Sequence, residues 1–119
     1  MTVLKESQRR TLHVLAYMML RMGQNERAGR LYAALAHLAP EGNPDRLALA
    51  GTAAVAIGEG NGAKALEALR GAMGGATLSS RKAVLHLMKA QALWLEGRRE
   101  EARAALDEYF FLSGGGKNA

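Results

Sequence analysis

The sequence predicts an all-α fold made of three tandem helix pairs, and three observations predict it. The first is an internal repeat. Small residues recur at an unbroken spacing of 37, as Ala16/Ala53/Ala90, Gly23/Gly60/Gly97 and Ala28/Ala65/Ala102, and larger apolar residues keep the same register, as Leu20/Ile57/Trp94 and Tyr32/Leu69/Leu106. A fixed period of this size is the signature of a stacked supersecondary unit. The second is composition. Of 119 residues 49% are apolar but only six are aromatic, and the apolar set is dominated by Ala and Leu, strong helix formers, with few β-branched residues. The third is punctuation: one glycine falls at the middle of each unit, where a helix must stop and turn.

The elements follow in order. Apolar spacing predicts helices over 7–22, 25–39, 44–58, 61–73, 79–96 and 98–112. Gly23, Gly60 and Gly97 close the first helix of each unit, because glycine enters the left-handed conformation without steric cost. Ala16 and Ala28, with their equivalents, stand where paired helices cross closely. Asn25 and Asn61 are the expected N-caps of the second helices. Pro40 ends unit one, and Asn43-Pro44 reads as a cap followed by proline at the first helical position. Thr77, Ser79 and Ser80 offer hydroxyl caps to unit three. Residues 1–112 are expected to form a single helical domain, with 113–119, a Gly-rich stretch, as a disordered tail. Unit two is dense in glycine (Gly58, Gly60, Gly62, Gly71, Gly74, Gly75), each costing about 1 kcal/mol relative to Ala inside a helix.

Several function classes find no support. Cysteine is absent, so no disulfide framework, thiol nucleophile or cysteine metal site exists. The first ten residues lack the apolar core of a signal peptide, and no apolar run reaches 18 residues, so a cytoplasmic chain without membrane insertion is expected. The net charge of +5 leans on residues 1–30, where Lys5, Arg9, Arg10, Arg21, Arg27 and Arg30 stand against Glu6 and Glu26. These cations are scattered at helical spacing with no aromatic-basic motif. They read as a solvated face or a steering field for an acidic protein rather than a nucleic-acid site. The run from Ala56 to Lys64 resembles a phosphate loop only superficially, since Ala65 follows the lysine where Ser or Thr is required. His13, His37 and His86 form no metal-ligand pattern. Glu100-Glu101 and Asp107-Glu108 diverge by about 100° around a helix and cannot converge as an acid/base pair. No catalytic residue, metal or cofactor is therefore expected, and the chain reads as a non-enzyme.

The order Leu12, Leu15-Ala16, Met19, Gly23, Ala28, Tyr32, Pro40 resembles the tetratricopeptide repeat over residues 9–112. The period of 37 rather than 34, the missing terminal proline in units two and three, and His86 at a normally large apolar position depart from that pattern. The resemblance implies a short right-handed solenoid in which the first helix of each pair lines a concave wall. Carrying the repeat's groove positions across by register points to Arg10, His13, Tyr17, Leu20 and Arg21 in unit one. In unit two it points to Leu47, Ala50, Ala54 and Ile57, and in unit three to Val84, Leu87, Gln91, Trp94 and Leu95. Such a wall is apolar and suits an amphipathic helix or an extended hydrophobic segment. A Lys/Asn clamp for an acidic C-terminal tail is missing.

The layout is similar to the chaperones of bacterial type III secretion, in particular the small Y-type export chaperones (the YscY group), through Gly23-Gln-Asn-Glu-Arg-Ala28, Ala102-Arg103 and Tyr109 in the last helix. That resemblance implies a cytoplasmic bacterial protein holding one small secreted client and presenting it to the export gate, with a co-chaperone as a further partner. The exposed run Tyr109-Phe110-Phe111-Leu112, which no further helix caps, keeps a homodimeric scaffold module open as the alternative.

Overall fold

The computed structural model describes residues 5–73 and 83–114. It contains six helices, α1 (Glu6–Arg21), α2 (Asn25–His37), α3 (Arg46–Gly58), α4 (Gly62–Met73), α5 (Ala83–Leu95) and α6 (Arg99–Leu112), and among the described residues there is no strand. Each helix packs on its neighbours in the chain, and α3 also touches α1 and α5. The molecule is elongated, 50 Å by 27 Å by 24 Å.

The 37-residue period is a period of backbone geometry. Gly23, Gly60 and Gly97 all take positive φ, 79°, 76° and 75°. Each turn closes with the same two hydrogen bonds. The glycine N–H donates to the carbonyl three residues back (Leu20, Ile57, Trp94; 3.0–3.1 Å), and the next N–H donates to the carbonyl five back (Met19, Ala56, Leu93; 2.8–2.9 Å). This is a Schellman closure, and it satisfies carbonyls that a helix end otherwise leaves unpaired.

The caps differ from expectation in two places. Asn25 is the first residue of α2 rather than its cap. Gln24 holds the cap position with no side-chain bond, and Asn25 instead lies beside Gly58. Asn61 does cap α4, its Oδ1 accepting from the Lys64 N–H at 3.1 Å. The cap of α3 is Asp45, not Asn43: its Oδ1 accepts from the Ala48 N–H at 2.9 Å, so the helix begins two residues after Pro44. The expected hydroxyl caps at 77–80 and the last five residues of the expected tail lie outside the described residues. Ser113 and Gly114 close α6 by hydrogen bonds to Tyr109 and Phe111.

The core is built of small side chains. Ala16, Ala28, Ala53 and Ala65 are fully buried, and Ala90 and Ala102 nearly so. Among the described residues, Leu35 and Leu69 are the largest fully buried side chains. Glycine density follows from this closeness. A Cβ at Gly51 would enter the Tyr32 ring, and one at Gly62 would stand 2.6 Å from the Ala92 carbonyl oxygen. These glycines permit approach between helices, so their helix-propensity cost is offset by the packing they allow.

Candidate functional site

Two polar side chains of α1 turn inward before any surface forms. Asp45 Oδ2 accepts from His13 Nε2 at 2.9 Å and from the Arg9 guanidinium, whose Nη2 also donates to the Leu35 carbonyl at 2.9 Å. All three side chains are largely buried, with 10–17% of their surface exposed. Burial by itself would raise the Asp45 carboxyl. The Ala48 amide, His13 and Arg9 outweigh it and hold it below its ordinary value. His13, expected on the binding wall, is largely buried and ties α1 to the residue that caps α3.

The other expected wall residues divide by exposure. Tyr17, Leu47, Val84 and Trp94 stand out into solvent with more than half their surface free, and Gln91 is exposed as well. Leu20 packs against the core between α1, α2 and α3. Ala50 and Ile57 pack against the core between α3, α4 and α5. Ala54 and Leu87 are half-buried. Arg10 and Arg21 flank Tyr17 on α1 and are exposed.

A groove of about 920 Å³ gathers part of this set. Ile57 from α3 and Leu87, Gln91, Trp94 and Leu95 from α5 form one side. The other side comes from α6, through Arg99, Glu100, Ala102, Arg103 and Leu106, with Ala90 at the base. Tyr17, Leu20, Leu47, Ala50, Ala54 and Val84 lie outside it. Trp94 is the groove's largest apolar surface, 60% exposed, and the Arg99 guanidinium stacks on its ring at 5.1 Å from the centroid. Such stacking contributes about 0.5–1 kcal/mol at an exposed site.

The repeat register places groove positions only on first helices, so the contribution of α6 does not follow from it. A signal for it is Leu106, the third member of the Tyr32/Leu69 set, and both of those are buried. Where α6 begins, facing α4 and α5, Arg98 donates to Glu101 at 2.6 and 2.9 Å and holds its carboxyl below the usual range. No group of His, Asp or Glu among the described residues could hold a metal ion.

Other apolar side chains remain uncovered. Val14, Leu15, Met18 and Met22 form an exposed strip on α1, and Phe110 and Phe111 are more than half exposed on α6. No helix among the described residues is long and apolar enough to cross a membrane. What fold and surface define together is an all-helical protein of paired helices with an open apolar groove. A scan against family models finds no match, and no curated protein matches the chain.

Proposed function

We propose that this chain is a helical-repeat binding protein of the tetratricopeptide type that acts as a cytoplasmic chaperone in bacterial type III secretion. In this reading it holds one small secreted client through the groove of α3, α5 and α6 and the exposed apolar side chains of α1, and helps deliver it to the export gate. The observation that carries it is the open groove ending at Trp94. A protein whose largest fully buried side chains among the described residues are two leucines leaves its one tryptophan, two methionines (Met18 and Met22) and four leucines in solvent. Contiguous exposed apolar surface on a soluble fold marks an interaction site, and a partner that covers it also stabilises the fold by mass action. The 37-residue helix-turn-helix period and the Gly-x-x-Glu-Arg-Ala turn of unit one support the family assignment.

The test is affinity purification from the native bacterium, with mass spectrometry and light scattering of the eluate, on the native chain and on a Tyr17→Glu/Trp94→Glu variant. One small secreted protein at fixed stoichiometry, lost in the double variant, is the expected outcome. Undiminished recovery of that protein by the double variant counts against the surface. A homodimer with no recurrent companion sinks the chaperone reading and favours a self-associating scaffold. The exposed Phe110 and Phe111 supply that second reading, under which Phe110→Asp would yield monomers.

A further inference from the structure

The three units share one register, so each interface inside the chain predicts what should occupy the corresponding place at its end. In unit one, Tyr32 receives α3 at Gly51, and Asn25 lies 3.2 Å from the Cβ position of Gly58. In unit two, Leu69 shares a core with Leu85 and Ala92 of α5, against which Met88 also packs, and Gly62 sits under the Ala92 carbonyl. The register equivalents in unit three are Leu106 and Arg99. Both line the open groove, together with Ala102, the equivalent of the buried Ala28 and Ala65. The groove therefore continues the α2–α3 and α4–α5 interfaces. We propose that it is the seat of a seventh helix, supplied by a partner protein and acidic on the side that meets α6.

The two helices already seated this way specify the occupant's apolar face. α3 buries Ala48, Gly51 and Val55, and α5 buries Leu85 and Ala92 with Met88 half-buried between them. Both present small or medium apolar residues at i, i+3 and i+7, the spacing of one helix face. Charge decides between a second copy and a different protein. In a second copy the unseated helix is α1, whose Thr11, Val14 and Met18 hold the same register and are exposed. But Arg21 of α1 is the equivalent of Gly58, so it would bring a bulky cation against Arg99. The groove already carries Arg99 and Arg103 against Glu100 alone. Like charges oppose that docking, whereas a helix with a small residue at this crossing and carboxylates beside it is attracted.

This inference rests on the reading of the chain as a partner-binding protein and deepens it at the same groove; the two can fail separately because the peptide test needs no secreted client. The probe is a synthetic peptide with the α3 sequence 45–59 carrying Val55→Glu. A Cβ at Gly29, the equivalent of Arg103, would lie 3.5 Å from Val55 Cγ1, so this substitution exchanges the apolar residue at i+7 for a carboxylate at the one place on that face where the third unit presents Arg103. The native Glu59 falls near Arg99. The peptide lacks tryptophan and Trp94 is the chain's only one, so its emission reports the groove directly. Titration is expected to shift Trp94 emission to the blue. Leu106→Glu abolishes the shift, Arg103→Glu weakens binding about tenfold, and Glu41→Gln, on the exposed turn after α2, leaves it unchanged. A Val55→Lys peptide is expected to bind about tenfold more weakly. Circular dichroism confirms that each variant is folded, and Arg103→Glu, a surface change, remains decisive if Leu106→Glu is not. Absence of a shift, or equal binding by the Glu and Lys peptides, overturns the proposal. So does concentration-dependent self-association of the native chain that Leu106→Glu removes, since it assigns the seat to a second copy. A peptide that binds while no secreted client is recovered retains the seat and discards the chaperone.

Discussion

Asp45 concentrates more structural work than any other polar residue described. One carboxylate oxygen caps α3, and the other receives Arg9 and His13 from α1. Asp45→Ala removes the cap and takes the carboxylate from the largely buried Arg9, leaving it only backbone carbonyls, so a loss of about 2–3 kcal/mol is expected in urea unfolding. The sign of the pH dependence follows from the carboxyl being held below its ordinary value of 3.8. Its contribution is fully present above that value and is lost as pH falls through the lower, folded-state value. The urea midpoint of the native protein should therefore drop more steeply in that acid range than that of Asp45→Asn, which keeps an acceptor but no titrating charge. Parallel profiles would deny Asp45 this role.

At the scale of the helix pair, small residues determine how closely elements approach. Gly51 lies against the Tyr32 ring, which is 4% exposed and whose hydroxyl burial raises its pKa. Gly51→Ala is expected to cost about 1–3 kcal/mol through overpacking. Tyr32→Leu, which copies Leu69 in the next unit, should recover part of the loss in the double variant, since neighbouring residues couple. Thermal denaturation of the four proteins measures this, and strict additivity would refute the contact. Gly23→Ala acts differently. No atom lies within 4 Å of a Cβ there, but φ is +79°, so the cost is backbone strain of about 1–2 kcal/mol with no partner able to relieve it.

For the molecule as a whole, a chain that buries mostly alanines gains little from each contact. Full burial of a Leu or Phe contributes about 1.5–3 kcal/mol relative to exposure, and here most large side chains are only partly covered. Leu69→Ala, at the centre of the largest buried cluster, is expected to remove about 2–5 kcal/mol and to unfold a large fraction of the protein, read by circular dichroism. Because each helix packs chiefly on its chain neighbours, stability should fall toward the ends. Amides of α3 and α4, flanked on both sides, are expected to exchange slowest, and those of α1 and α6 fastest. Free partner at 100 times the dissociation constant would add about 2.7 kcal/mol of stability, a large share of such a total.

The helix bounds, the turn glycines and the alanines at the crossings were legible in the sequence because they are local demands repeated three times. A helix end needs a residue at positive φ, and a close crossing needs a small side chain, so a period of 37 in Gly and Ala exposes both. The expected helices agree with the observed ones to within a few residues. The tertiary structure alone decided which polar groups meet. His13 and Asp45 are 32 residues apart, occur in one unit only, and so leave no periodic trace. It also decided that the groove runs over α6 as well as the first helices. A residue such as Leu106 is core or surface according to whether another helix follows it in space, and periodicity, which treats all three units alike, does not carry that distinction.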